Sequence, residues 1–292
     1  MPLPNFLIIG ATKSGTTSLY YYLKEHPEIF MPDDLKEARF FCYEGTPRTL
    51  KVSIRTLEQY KALFAGVTTE KAIGEASPHY LDFPDAAGRI KELIPDVRLI
   101  GSIRNPVDRA YSMYLMNLRS SGRNRGLTFL QALERDPWLQ ANYFEKFNRF
   151  LSLFPEEQLK VILFDDISSA PRATVTSLFH FLGVDSKFCG SDVEIHNQGG
   201  LPKSILIDRL AMDPFTRRFV NVALPRNFRG ALKRVVARNL APQKLTLFER
   251  ESALEVFTYD ILRTQELLQL NLSKWLSGSN ATEISEEASP GL

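Results

Sequence analysis

Phe6-Leu-Ile-Ile-Gly10 is a short, wholly apolar run rich in β-branched residues. Gly, Ser and Thr positions follow it, then a mixed stretch from Ser18 to His26 that Pro27 brings to a stop. The pattern predicts a buried strand, a tight turn and a helix. A second apolar run, Val97 to Ile103, precedes Arg104-Asn105-Pro106 and a long helical pattern from Val107 to about Leu118. A third, Leu159 to Phe164, ends in Asp165-Asp166 and leads to a helical stretch from Pro171 to Leu182. Strands that are apolar on both faces and alternate with helices predict an α/β fold, a single domain with a mostly parallel central sheet flanked by helices on both faces. A further helical pattern from Leu247 to Leu276 closes this domain, placed at residues 1–276. Residues 277–292 are mildly acidic and short of apolar side chains, which predicts a disordered tail or linker stub.

Composition narrows the possibilities. With 292 residues, 44% of them hydrophobic and 24% charged, the chain can bury a sizeable core, which excludes disorder and fibrous repeats. Thirty-six Lys and Arg against 34 Asp and Glu leave a formal charge of +2, too balanced for a surface built to bind nucleic acid. Any anion site must be local. No stretch approaches the roughly 18 uninterrupted apolar residues of a membrane span, and Met1-Pro-Leu-Pro lacks the basic start of a signal peptide. Cys42 and Cys189 form no metal pattern with the four histidines, and a soluble protein of the reducing cytoplasm is expected. From Phe215 to Arg238 the chain carries seven basic residues and no acidic one, either a solvated helical face or a rim facing an anionic ligand.

The chemistry concentrates first in Gly10-Ala-Thr-Lys13-Ser14-Gly15-Thr16-Thr17-Ser18. A Gly/Ser/Thr loop between a buried strand and a helix start turns backbone N–H groups and the helix dipole on an anion. The spacing G-x-x-x-x-G is P-loop-like, but Thr16 stands where a nucleoside-triphosphate loop has its Lys, and Lys13 lies inside the loop instead. The segment resembles the donor loop of the PAPS-dependent sulfotransferases, in particular the N-sulfotransferase domain of heparan sulfate enzymes. His26-Pro27 follows at that family's distance. The resemblance implies PAPS, 3′-phosphoadenosine 5′-phosphosulfate, as sulfuryl donor, with Lys13 at the phosphate–sulfate bridge and Ser14, Gly15, Thr16, Thr17 and Ser18 on the phosphate oxygens. A sulfuryl group carries less charge than a γ-phosphate, so no metal is expected to be needed.

Arg104-Asn-Pro-Val-Asp-Arg109-Ala-Tyr-Ser112-Met-Tyr114 follows the second strand, where open α/β sheets bind ligands. It resembles the family's 3′-phosphate site, which implies that Arg104 and Ser112 grip the group that separates PAPS from ATP. Lys36-Glu37-Ala-Arg39-Phe40-Phe41 supplies a carboxylate between two cations. Its counterpart in the heparan-type enzymes is the catalytic base, a role that falls on Glu37 here. Glu75-Ala-Ser-Pro-His79-Tyr-Leu resembles the segment lining the acceptor cleft, with His79 a reserve base. Two departures stand out: Met116 replaces a family His, and the family's C-terminal Cys- and Lys-rich loop has no counterpart, leaving Lys203 or an Arg of the basic stretch to supply that contact. The expected function is in-line sulfuryl transfer to a hydroxyl or amine of a polysaccharide, lipid, small metabolite or carrier-bound chain. The alternatives are a P-loop kinase using Asp165-Asp166 on Mg²⁺, or a nucleotide-binding module without catalysis.

Overall fold

The computed structural model describes residues 2–33, 35–42, 54–120, 123–190, 201–202, 240–241 and 244–277. Lys203, the basic stretch 215–238 and residues 278–292 lie outside them. Five strands, β1 (Phe6–Gly10), β2 (Ile29–Phe30), β3 (Ala72–Ala76), β4 (Arg98–Ile103) and β5 (Leu159–Leu163), form one sheet in the order β2-β3-β1-β4-β5. Every pairing in it is parallel. The three apolar runs of the sequence are β1, β4 and β5, the last stopping one residue short because Phe164 opens a helix.

Helices cover both faces. On one, α1 (Thr16–Lys24), α7 (Phe164–Ser169) and α8 (Pro171–Leu182) bring Leu19, Leu23, Ile167, Leu178 and Phe179 against Phe6, Ile8, Ile100 and Ile162. On the other, α6 (Tyr143–Leu151) lays Phe147 over Gly101, where an added Cβ would meet the ring at 2.7 Å. Gly74 does the same for Phe6, with an added Cβ 2.3 to 2.4 Å from the ring. Both glycines thus make room for an aromatic ring on a close-packed sheet. Gly74→Ala is expected to cost about 1–3 kcal/mol through overpacking, seen as a lower thermal midpoint.

The contacts divide the chain into two compact units. The first, Met1–Asn105, Asn142–Asn197 and Asp260–Asn271, contains the whole five-stranded sheet. It also holds α2 (Leu57–Ala62) and α3 (Ala86–Leu93). The second contains α4 (Pro106–Ser120), α5 (Phe129–Arg135), α9 (Leu247–Leu268) as far as Tyr259, and α10 (Ser273–Leu276). Arg109 of α4 is 1% exposed and donates from Nη1 to the carbonyls of Leu139 and Gln140 at 3.3 and 3.2 Å, so this arginine of the motif acts as a structural tie. Arg250 of α9 donates to Asp108 of α4 at 2.8 Å. The helical pattern from Leu247 to Leu276 is realised as two helices, interrupted where Gln269 takes a left-handed φ of 51°. Among the described residues no helix is long and apolar enough to cross a membrane.

Candidate active site

Parallel strands deliver the segments that follow them to one edge of the sheet. That edge gathers the loop after β1, Ser77 to His79 after β3, Arg104 after β4 and Phe164 after β5, while Lys36 to Arg39 come after β2. The chain leaves β1 for the β2 side and β4 for the β5 side, so the strand order reverses between β1 and β4. A reversal of this kind opens a crevice beyond the strand ends. The first loop and Arg104 stand on its two sides.

The loop is built tightly. Lys13 and Gly15 take left-handed φ values of 67° and 83°. The Ala11 amide donates to the Ser102 carbonyl at 2.7 Å, and the Ser102 hydroxyl donates to the Ser14 carbonyl at 2.5 Å, clamping the loop to β4. Gly15 caps α1 without a side-chain hydrogen bond, and the first turn of α1 holds no acidic residue, so no side chain of its own offsets the positive end of the helix. Thr16 and Ser18 are buried. The Ser14 hydroxyl is fully buried and has no hydrogen-bond partner among the described residues. An unsatisfied buried donor costs about 1–3 kcal/mol, and here it lies in the loop before a helix N-terminus, a place suited to an oxyanion.

Phe164 joins this loop to Arg104. Its ring lies 2.9 Å from where a Gly15 Cβ would be, and the same ring carries the Arg104 guanidinium 4.6 Å from its centroid. The Arg104 backbone is fixed by Tyr143, whose hydroxyl accepts from the Arg104 amide at 3.3 Å and donates to its carbonyl at 3.0 Å.

Glu37 stands among cations. Arg39 donates to Glu37 Oε2 from Nε at 3.1 Å and from Nη2 at 2.5 Å, while Lys36 Nζ lies 3.8 Å from Oε1 and His79 Nδ1 3.8 Å from Oε2. Lys36 also donates to the Thr17 hydroxyl at 2.6 Å, which fastens the Glu37 segment to the first turn of α1. Burial holds the Lys36 ammonium below the usual lysine range, and the charge of Glu37 partly offsets this. The sequence marks Lys36 only as a neighbour of Glu37; its bond to Thr17 joins residues 19 apart and leaves no local signal.

Beneath Glu37 lies a second carboxylate. Glu75 is wholly buried at the end of β3, accepting from Tyr80 (2.6 Å) and Tyr60 (3.3 Å) at Oε1 and from Ser77 (2.8 Å) at Oε2. Burial pushes its pKa up to about 7, against the pull of these hydrogen bonds. Between the ordinary carboxylate pKa and about 7, the folded chain holds a proton that the unfolded chain has lost. Stability therefore falls as pH rises through this window, an expected loss on the order of 3 kcal/mol. Denaturation of Glu75→Gln at several pH values is expected to show a flatter profile.

The structure thus brings the Lys13 to Ser18 loop, Glu37 and Arg104 to one edge of the first unit. Ser112 belongs to α4 of the second unit, half-buried, with Met116 exposed on the same helix. His26 is structural: it is 1% exposed, packs against Phe179 and Phe188, and its ring nitrogens bond the Asp185 carbonyl and the Glu28 amide. Asp165 and Asp166 are exposed in the first turn of α7, and no group of three or more potential metal ligands occurs among the described residues.

A P-loop-like α/β sheet with an anion-ready loop and an arginine across its crevice defines a class that binds phosphorylated nucleotides. Within that class, the sulfotransferase domain model matches residues 3–197, and the chain belongs to this family, the PAPS-dependent sulfotransferases. It is 30% identical over 204 residues to the human bifunctional heparan sulfate N-deacetylase/N-sulfotransferase 3, covering 62% of this chain and 22% of that one. The chain spans about a quarter or less of the length of such curated relatives. The crystal structure of a sulfotransferase from Alicyclobacillus acidocaldarius aligns with TM-score 0.69 and 28% identity over 94% of this chain and 99% of that one. Mouse sulfotransferase SULT7A1 complexed with PAP shares the fold, with TM-score 0.52 and 14% identity over 92% and 87% of the two chains.

Proposed function

We propose that this chain transfers a sulfuryl group from PAPS to a hydroxyl or amine of an acceptor, working in a reducing compartment that suits its two free cysteines. The observation that carries the reading is the meeting, at one sheet edge, of a donor-rich loop with an orphaned buried Ser14 hydroxyl and a carboxylate one residue from the lysine that touches that loop. Arg39 occupies Oε2 of Glu37, which supports Oε1 as the atom that takes the proton. As the acceptor oxygen or nitrogen attacks sulfur, its proton passes to Oε1. The bond from sulfur to the bridging oxygen breaks, and the electron pair stays on the leaving phosphate. Lys13 stabilises the charge that develops on that oxygen, with Ser14 to Ser18 on the phosphate. Arg104 takes the 3′-phosphate. No metal enters this scheme.

Calorimetry with adenosine 3′,5′-bisphosphate and with ATP, each with and without Mg²⁺, tests the reading. The bisphosphate is expected to bind more tightly, and Mg²⁺ to change nothing. Mg²⁺-dependent ATP binding that ignores the 3′-phosphate would make the chain a kinase instead. Arg104→Ala is expected to weaken bisphosphate binding roughly ten- to a hundredfold, the range set by about 1.5–3 kcal/mol for hydrogen bonds to a charged group. Equal affinity in both proteins would remove Arg104 from the site.

A further inference from the structure

Glu75 has no part in the transfer just described, yet it anchors the segment that carries Glu37. Its Oε2 accepts from the Ser77 hydroxyl, and Ser77 Oγ in turn accepts from the Arg39 amide at 2.9 Å. Arg39 takes a left-handed φ of 52°, a backbone state that a non-glycine residue holds only when its surroundings fix it. The side chain of that residue grips Oε2 of Glu37. A second arm runs through rings. Tyr60 and Tyr80, whose hydroxyls both end on Glu75 Oε1, pack against Phe41, and Tyr60 also stacks on Phe40 with centroids 4.4 Å apart. Both ends of Arg39 to Phe41 thus rest on one buried carboxyl group.

We infer that Glu75 is a positioning residue for sulfuryl transfer: through Ser77 and the two tyrosines it holds the Arg39 turn, and so aims Glu37 at the acceptor. This rests on the assignment of Glu37 as the base. The network needs an acceptor for two phenols and a partner for one hydroxyl, so a neutral amide can replace the acid. Gln offers its carbonyl oxygen to Tyr60 and Tyr80 and its amide N–H to Ser77 Oγ, which still accepts from Arg39. Leu offers neither.

The test uses Glu75→Gln, Glu75→Leu and Ser77→Ala in the full chain, each alone and combined with Glu37→Gln. Two readouts are taken: hydrogen exchange at the Arg39 amide, and transfer of radiolabelled sulfate from PAPS to de-N-sulfated heparin and to water. Glu75→Leu and Ser77→Ala are expected to speed exchange at Arg39 and to lower kcat by about ten- to a hundredfold, the scale of a small misplacement of a catalytic group. Bisphosphate affinity should stay within about twofold, and Glu75→Gln should behave as the parent in both readouts. On the Glu37→Gln background the same substitutions should change the remaining rate by less than about twofold, because the group they aim is gone. Losses of equal size on both backgrounds, or an Arg39 amide that exchanges at the parental rate in Ser77→Ala, would overturn the inference. If Glu75→Leu loses bisphosphate binding through misfolding, Ser77→Ala carries the test, since it leaves the buried carboxyl in place. Full activity of Glu37→Gln alone would instead remove the base on which the inference rests, a result distinct from additive losses.

Discussion

Glu37→Gln is expected to lower sulfate transfer by about 10² to 10⁴-fold, the usual worth of a positioned general base, while bisphosphate affinity stays within about twofold. The amide keeps the shape of the carboxylate and can still accept from Arg39, so the segment stays in place. It cannot take a proton at neutral pH. Radiolabelled transfer and calorimetry on the same preparation separate the two effects. Wild-type turnover in this variant would leave His79, 3.8 Å from the same carboxylate, as the group to test next.

Lys13→Met is expected to cut kcat by about 10² to 10³-fold, the cost of removing one donor from a developing oxyanion. Methionine matches the length and apolar stem of lysine and removes only the charge. Lys13 takes its left-handed φ in a loop that the Ser102 hydroxyl holds through the neighbouring Ser14 carbonyl. The loop should keep its form in the variant. A fall in bisphosphate affinity as large as the fall in kcat would mean that Lys13 binds the ground state and contributes nothing further at the transition state.

How much of this was readable in advance depends on whether the signal was local. β1, β4 and β5 each form an unbroken apolar run, and Pro171 and Gly183 bracket α8 within a residue of its ends. β3 escaped because Gly74 and Glu75 interrupt its run, the first to admit the ring of Phe6 and the second to anchor the network beneath Glu37. The break after Leu268 also left no mark, since the helical period continues through Gln269. In the site, Lys13, Glu37 and Arg104 were each visible as a residue type at a motif position. Lys36 on Thr17, Phe164 between Gly15 and Arg104, and Glu75 under Ser77 and two tyrosines were not, because each joins residues brought together only by the fold.

The Phe164 ring has a mechanical consequence. It opens the helix after β5, fills the space that Gly15 leaves, and supports the guanidinium of Arg104. If the loop and Arg104 are the two anion grips proposed above, this one planar ring is the spacer that gauges the gap between them. On that proposal, a smaller side chain at 164 is expected to narrow the difference in affinity between adenosine 3′,5′-bisphosphate and ATP while leaving every charged contact residue in place.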